Sequence, residues 1–478
     1  MKLEKKELTR PEVNLVDECE RFKVKKFDFP YQYCHLCFSR FKGLLPFLQK
    51  SALLKWNCYI SESLVEESEE NTVDRNVEVK AENEGKIPII SELKDIKMGV
   101  ECVIIGLITK EMKRRPTILD EYLHDIYNPN SERDDGDYIS DDDEVYLEDS
   151  FSRVPLLIDN SVVESNISHK ELLSGTVIAL KGCRVSCGNF LVKDYTFSIV
   201  PEKILIRENN SLLNSSMPIY VGFISGMNIG QDYENSLSLQ LLRDFILGVA
   251  FNDEQKFISS RISQLVIAGN SIQLLDTAEE TNTGTGTKLI VNNDILSKRL
   301  QIFDSFISQL ASSISVAIIP GDEDPVPISL PQPAFQPYIF KHARKYQSLV
   351  SFTNPCLFRI NNVRISGITG QTIAKLSLYT SYKSPIEALK FCISSRNLAP
   401  VCPDAIPCHP FSDCDPFILN YQDDEFPQVL FSGNQFKFDS YRFPNDGPLC
   451  FTIPNFSTNP CIVLLDINSF ELKTITFN

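Results

Sequence analysis

Four glycine-led segments, Gly226-Met227-Asn228, Gly269-Asn270, Gly321-Asp322-Glu323 and Gly433-Asn434-Gln435-Phe436, each follow a short apolar run. Those runs are Ile219–Ile224, Leu265–Ala268, Val316–Ile319 and Val429–Phe431. Polar side chains delivered together by four strand ends could perform metal-assisted hydrolysis. That chemistry needs an anion bridging two dications and several imidazoles, to activate water and polarise a substrate. The residues present are Gly226, Asn228, Asn270, Asp322, Glu323, Asn434 and Phe436, mostly neutral. A neutral Asn270 cannot hold two dications side by side. The histidines point the same way, because the chain has five, His35, His124, His169, His342 and His409, and none lies in these segments. A histidine-rich dimetal centre cannot be assembled from them.

The order of the segments resembles the binuclear metallophosphoesterases, with every ligand position altered. In that pattern Gly226 and Asn228 stand at an Asp-x-His, Asn270 at the bridging carboxylate of a Gly-Asp, and Asp322 and Glu323 at the amide and general acid of a Gly-Asn-His. Asn434 and Phe436 stand at the two imidazoles of a Gly-His-x-His. The resemblance implies an inactivated phosphoesterase with no catalytic residue, no metal and no cofactor. Asp322, Glu323 and Asp324 could attract a stray cation, but Gly321-Asp322 also reads as a tight turn at a strand end, with Asp324-Pro325 opening the next extended segment.

The elements that must position these loops read as follows. Ile219–Ile224, Leu265–Ala268 and Val316–Ile319 are strands, alternating with helices whose apolar faces are Leu237, Leu241 and Phe245, then Leu296, Leu300, Phe303, Ile307 and Leu310. Beyond about residue 350 the pattern is mostly strand: 357–365, 429–431, 449–453 and 462–465. Such an α/β half followed by a β-rich half suits a sandwich of two sheets flanked by helices. Asp276 to Lys288, with its Gly-Thr-Gly-Thr, lacks the lysine and spacing of a phosphate loop and reads as a flexible insert.

Upstream, Leu36, Phe41, Leu44, Leu45 and Leu48 mark a docked amphipathic helix, and residues 61–86 form an acidic insert poor in large apolar side chains. From 87 to 201 the pattern is strand (100–109, 175–180, 189–200), with a long acidic connection at 131–149 that reads as a solvated loop. Short strands with one long connection suit a small Greek-key barrel such as an OB-fold. Lys110, Lys113, Arg114 and Arg115 read as a solvated basic cluster, and the polar run 208–216 as a linker. The expected fold class is therefore α+β multidomain: an OB-fold β-barrel plus an inactivated metallophosphoesterase-like αββα sandwich. The expected units are an N-terminal segment with its helix (1–56), the acidic insert (57–86), the OB-fold domain (87–207) and the phosphoesterase-like domain (217–478).

Composition sets the function classes. With 43% hydrophobic and 23% charged residues in 478, the chain has the make-up of a globular protein long enough for two or three cores. A net charge of −16 opposes a surface that grips phosphate backbones broadly, so any DNA contact should be local or delivered by a partner. The opening MKLEKKELTR lacks a signal peptide's apolar stretch and no apolar run is long enough to span a bilayer, which predicts a soluble intracellular protein. The 14 scattered cysteines then read as free thiols. Cys34-His35-Leu36-Cys37 has a metal-like spacing but no second Cys-x-x-Cys to complete four zinc ligands.

A second resemblance covers most of residues 30–478. Its motifs are Gly321–Pro325, Ser329–Pro333, Pro337–Phe340, Thr353–Pro355, Gly370–Thr372, Asp415–Ile418, Phe431–Asn434 and Ile453–Ser457, preceded by Tyr138–Glu144, Leu147–Asp149, Ser174–Val177 and Phe190–Tyr195. In this order they resemble the B subunits of the eukaryotic replicative DNA polymerases, nearest the delta branch. That resemblance implies a non-catalytic scaffold in DNA replication, located in the nucleus. Its implied partners are the cysteine-rich C-terminal domain of the delta catalytic subunit and a further accessory subunit that reaches the sliding clamp. DNA would be met mainly through the complex; polymerase zeta is a second host by analogy, and no membrane is involved. The alternatives are a B subunit of polymerase alpha or epsilon, an active phosphoesterase or nuclease, and a sequence-independent single-strand binder. The last would need aromatics interleaved with bases along the barrel strands, and Val100–Thr109 offers neither.

Overall fold

The computed structural model describes residues 9–25, 32–60, 86–117, 136–159, 168–204, 217–230, 237–249, 252–273, 278–283, 286–291, 293–422 and 425–477. The 208–216 linker, most of the acidic insert and His124 lie outside these.

The first short strand, β1 (Leu15–Asp17), belongs to the C-terminal sandwich, where it pairs antiparallel with residues 358–360. Helix α1 (Cys34–Trp56) follows. The barrel is built from β2 (Cys58–Ile60), β3 (Ile87–Ile90), β4 (Glu101–Glu111), β5 (Glu144–Glu148), β6 (Arg153–Ile158), β7 (Val177–Arg184) and β8 (Phe190–Thr196). Strand β4 is long enough to pair β7 along its first half and β5 along its second, which closes the circle β4-β5-β6-β8-β7. The one parallel contact in that circle joins β6 and β8. This is the five-stranded Greek-key closure of an OB-fold. Strand alternation feeds two cores. Cys102, Ile104 and Ile108 point into the barrel, while Val103 and Ile105 pack outward under Leu44, Leu48 and Ala52 of α1.

The sandwich contains β9 (Tyr220–Ile224), α2 (Leu237–Leu247), α3 (Asp253–Ser260), β10 (Ile262–Ala268), β11 (Ala278–Thr283), β12 (Gly286–Val291), α4 (Asn293–Ala311), β13 (Ser315–Ile319) and β14 (Leu349–Ser351). It continues with β15 (Cys356–Ile360), β16 (Val363–Ile368), α5 (Gln371–Tyr379), α6 (Pro385–Ser394), β17 (Val429–Gln435), β18 (Ser440–Arg442), β19 (Leu449–Pro454), β20 (Cys461–Asp466) and β21 (Leu472–Thr476). Two six-stranded sheets result, ordered β14-β13-β10-β9-β20-β21 and β1-β15-β16-β17-β19-β18. Alternate residues of the central strands face opposite layers. Val221, Phe223, Val266 and Ala317 point to the other sheet, and Ile224, Leu265, Ile267 and Val316 to the helical layer. Phe223, Phe431 and Phe451 meet between the sheets at centroid distances of 5.1, 5.2 and 6.2 Å, in tilted and edge contacts that suit aromatic quadrupoles.

Several expectations need correction. Residues 276–288 are not simply a loop: β11 and β12 pair antiparallel in register Thr283 to Gly286, as alternating threonines suit extended backbone. The acidic connection 131–149 is not one solvated loop, because Glu144–Glu148 is a barrel strand and the Asp143 side chain is wholly buried. Nor is Lys110 part of a solvated cluster; it ends a buried strand face and pairs with Asp143 at 3.2 Å. Residues 357–365 are two strands, turned back on each other at Asn361, whose φ of 52° asparagine tolerates. Helices α3, α5 and α6 were not apparent from the chain. In α6 apolar residues occupy most positions, with Ile386, Ala388, Leu389, Phe391, Cys392 and Ile393 all buried, which blurs the 3.6-residue period, while α5 is short, with Thr372, Ile373, Leu376 and Tyr379 buried.

Candidate functional site

Strands β9, β10 and β13 run parallel in one sheet, and β16, β17 and β19 in the other, so six strand ends open at the same edge of the sandwich. The carboxyl ends of parallel strands are the usual place for a ligand site. The four glycine-led segments meet there. The Gly226 N–H donates to the Gly269 carbonyl at 2.9 Å, and the Asn228 N–H to the Asn270 carbonyl at 3.0 Å. The Asn434 N–H donates to Ser225 Oγ at 2.8 Å, and its amide nitrogen to the Thr369 carbonyl at 2.7 Å.

Backbone geometry selects the residue types. Gly226, Gly269, Asn228, Asn270 and Asn434 all have φ between 45° and 84°, the left-handed region that glycine and asparagine enter at least cost. Packing adds a second restriction: a Cβ on Gly321 would lie 2.0 Å from Asn270 Oδ1, and one on Gly433 2.4 Å from the Ala268 carbonyl oxygen. The strand ends therefore approach too closely for larger residues.

The carboxylate that matters is one residue beyond the pair singled out from the chain. Asp322 is exposed and Glu323 half-buried, whereas Asp324 is 1% exposed. Asp324 does not begin an extended segment as a mere spacer. Its Oδ1 accepts the N–H groups of Ser271 and Ile272 at 2.9 and 3.1 Å, and its Oδ2 that of Gly321 at 2.8 Å. It thereby ties the loop after β10 to the loop after β13. Burial pushes its pKa up to about 7, against the pull of those backbone donors. The spacing Gly-x-x-Asp at a strand end, three residues from the N–H it caps, was the available signal for this role.

The rest of the cleft floor is amide. Gln332 donates to the Gly321 and Pro327 carbonyls, both at 3.0 Å, and its Oε1 accepts from Asn354 at 2.7 Å and Gln371 at 3.1 Å. The Asn354 amide also donates to Thr369 Oγ1 at 2.6 Å. Gln332 and Asn354 are fully buried, so this mesh ties the loop after β13 to the β14–β15 connection and the start of α5. Phe436 is brought to the rim rather than the floor, 63% exposed.

A dimetal centre does not fit these residues. Among the described residues no three His, Cys, Asp or Glu side chains are grouped to hold a metal ion, and the one carboxylate on the floor is already capped by three N–H groups. His35 and His342 are exposed elsewhere, His169 lies on the barrel and His409 packs edge-on against Phe411. Cys34 and Cys37 sit on the first turn of α1, exposed and half-buried.

The comparisons with known proteins follow the same division. The family described as DNA polymerase delta subunit OB-fold domain matches residues 32–195, and that described as the B subunit of DNA polymerase alpha/epsilon matches 221–440. The chain is 30% identical over 402 residues to the DNA polymerase delta small subunit of Oryza sativa, covering 82% of this chain and 87% of that protein. It belongs to the DNA polymerase delta small-subunit family. The Saccharomyces cerevisiae member is 26% identical over 97% of this chain and 93% of its own length. More distantly, the DNA polymerase II small subunit of Methanothermobacter thermautotrophicus is 21% identical over 61% of this chain and 56% of its own.

The family's motifs explain the joint between the two domains. Arg40 of α1 is completely buried and bonds Asp415 Oδ2 at 2.7 Å, the Gly175 carbonyl at 2.8 Å and the Cys402 carbonyl at 2.9 Å. One guanidinium thus gathers the helix, the barrel motif Ser174–Val177 and the sandwich motif Asp415–Ile418. A second, Arg396, lies 4.2 Å over Phe47 of α1 and donates to the Ile199 carbonyl at 2.9 Å. The Tyr138 motif crosses over as well, its N–H bonding the Leu378 carbonyl at 3.1 Å and its ring packing edge-on to Tyr379. Among the described residues no helix is long and apolar enough to cross a membrane.

Proposed function

We propose that this chain is a non-catalytic scaffold of the DNA polymerase delta holoenzyme in DNA replication. It holds the cysteine-rich C-terminal domain of the catalytic subunit and docks a further accessory subunit that leads to the sliding clamp. The observation that carries this reading is the cleft: the phosphoesterase ligand positions hold Gly226, Asn228, Asn270, Asn434 and Phe436, and the floor is filled by the Gln332–Asn354–Gln371 amide mesh. Water activation needs a metal-bound hydroxide or a general base in reach of substrate, and these side chains offer neither. Binding needs only a rigid surface, which the Arg40 and Arg396 joint supports by fixing barrel and sandwich together. The site of action is the nucleus, with DNA met mainly through the assembled polymerase, in keeping with the net charge of −16.

The test is co-expression of the full chain with the cysteine-rich C-terminal domain of a delta catalytic subunit, followed by mass determination. A stable one-to-one complex is the expected result. A folded, monodisperse chain that captures no such domain overturns the proposal.

A further inference from the structure

Helices α2 and α4 cover the face of the β9 sheet that looks away from the other sheet, and a cavity of about 540 Å³ opens between them. Its α4 wall is one stripe, Lys298, Ile302, Phe306 and Gln309, spaced so that all four share a face over three turns, roughly 16 Å of helix. Leu239 and Arg243, one turn apart on α2, form the other wall, and Ile229 from the loop after β9 adds to the apolar lining. A groove with two helical walls and an apolar floor has the form that receives an amphipathic segment.

Shape alone names no occupant, but charge does. The charged side chains in the lining are Arg243 and Lys298, and no carboxylate lines the groove among the described residues, in a chain whose net charge is −16. Arg243 is partly engaged, its Nε and Nη2 on Asp244 Oδ1 at 2.9 and 2.8 Å and its Nη1 3.5 Å from Gln309 Oε1. Lys298 is exposed, with no ion-pair or hydrogen-bond partner among the described residues. The independent observation is Arg299, the next residue along. It is 1% exposed, yet only its Nη1 is bonded, to the Gln273 carbonyl, while Nε and Nη2 have no hydrogen-bond partner. A buried cation with unused donors marks a place where an anion is missing. Its guanidinium lies against the backbone of Gly230, where a Cβ would come 3.4 Å from Cζ, and so beside Ile229 of the groove.

We infer that this groove receives an acidic amphipathic helix of a partner protein, its apolar face on Ile302 and Phe306 and its carboxylates on Lys298, Arg299 and Arg243. A nucleic acid does not fit, because phosphates spaced along a strand need a row of exposed cations, and here one exposed lysine and one half-buried arginine stand among apolar side chains and amides. The inference goes beyond the scaffold reading, since it needs neither of the partners proposed above.

The experiment uses the full chain with a fluorescent helical peptide of leucine and glutamate, leucines at i, i+3, i+4 and i+7, followed by polarisation at low and high salt. The same peptide with glutamine for glutamate, and oligothymidylate, serve as competitors. Saturable binding that weakens with salt, survives both competitors and falls about tenfold or more in Lys298→Glu is expected, as for close charge pairs at interfaces. Arg299→Leu should weaken binding too while holding the melting temperature near that of the wild type, because it removes a buried charge that has no anion. Should that variant misfold, the exposed Lys298 position still decides. Lys97→Glu, just before β4 on the barrel, makes the same charge change and should leave binding unaltered. No binding, equal loss in Lys97→Glu, or displacement by the glutamine peptide or by oligothymidylate overturns the inference. So does binding that appears only after Asp232→Asn and Glu234→Gln together, which would make the chain's own acids the occupant.

Discussion

At the joint between barrel and sandwich, a full ion pair is buried: Arg40 and Asp415, neither exposed, with carbonyls from both domains around the guanidinium. At the cleft a few strands away, one carboxylate is buried among backbone N–H groups and everything else is amide. Both knots satisfy polar groups that packing has removed from water, but they do so for different ends. The joint uses charge, and its one guanidinium bonds α1 to groups of both barrel and sandwich. In the cleft, neutral amides satisfy one another and nearby backbone carbonyls without any ion pair. The contrast teaches that the strand-end edge is no open hole: its buried amides tie the two sheets together.

The contrast breaks first at the joint. Arg40→Ala leaves Asp415 buried and unpaired, and a loss of about 3–5 kcal/mol is expected. Urea unfolding measures it, and a loss under about 1 kcal/mol would mean the pair does not hold the domains. At the cleft, Asp324→Ala strands three buried N–H groups and is expected to cost about 3 kcal/mol by the same assay. If Asp324→Ala proved neutral, the loops after β10 and β13 would need another tie. Gln332→Leu should be milder, about 1–2 kcal/mol, because Asn354 keeps its bond to Thr369.

The smallest effect is one of pH. The carboxyl of Asp324 has its folded pKa raised to about 7 from an ordinary 3.8, so the folded chain binds that proton more tightly than the unfolded one. Its contribution is then fully present below about pH 4 and is lost as pH rises through about 7. Melting temperature should fall modestly between pH 5 and pH 8 on this account, by roughly the few degrees that about 1 kcal/mol shifts a domain of this size. The Asp324→Asn variant should show a flatter profile over that interval, and an unchanged profile would remove the group from the account.

Much of this was legible in the chain. The strands at 219–224, 265–268, 316–319, 429–431, 449–453 and 462–465 announce themselves as apolar runs ended by glycine, proline or a polar residue, because buried central strands need apolar side chains on both faces. The barrel was harder to read, since β2, β3, β5 and β6 are short and β5 hides in an acidic run whose alternate residues Val145 and Leu147 face the core. Helix α6 is buried nearly all round, so no polar stripe betrayed its period, and α5 is only nine residues long. In the cleft, the positions flanking each glycine could be picked out, but the Gly-x-x-Asp spacing by itself did not set Asp324 above Asp322 or Glu323, because two of the three N–H groups that turn it inward, those of Ser271 and Ile272, lie more than 50 residues away in sequence.

The measurement that tests the central claim most directly is metal analysis of the purified chain together with hydrolysis of a generic phosphodiester in manganese, for the wild type and Asp322→Ala. The account predicts no stoichiometric metal and the same background rate for both proteins. Stoichiometric metal, with turnover that Asp322→Ala abolishes, would contradict it.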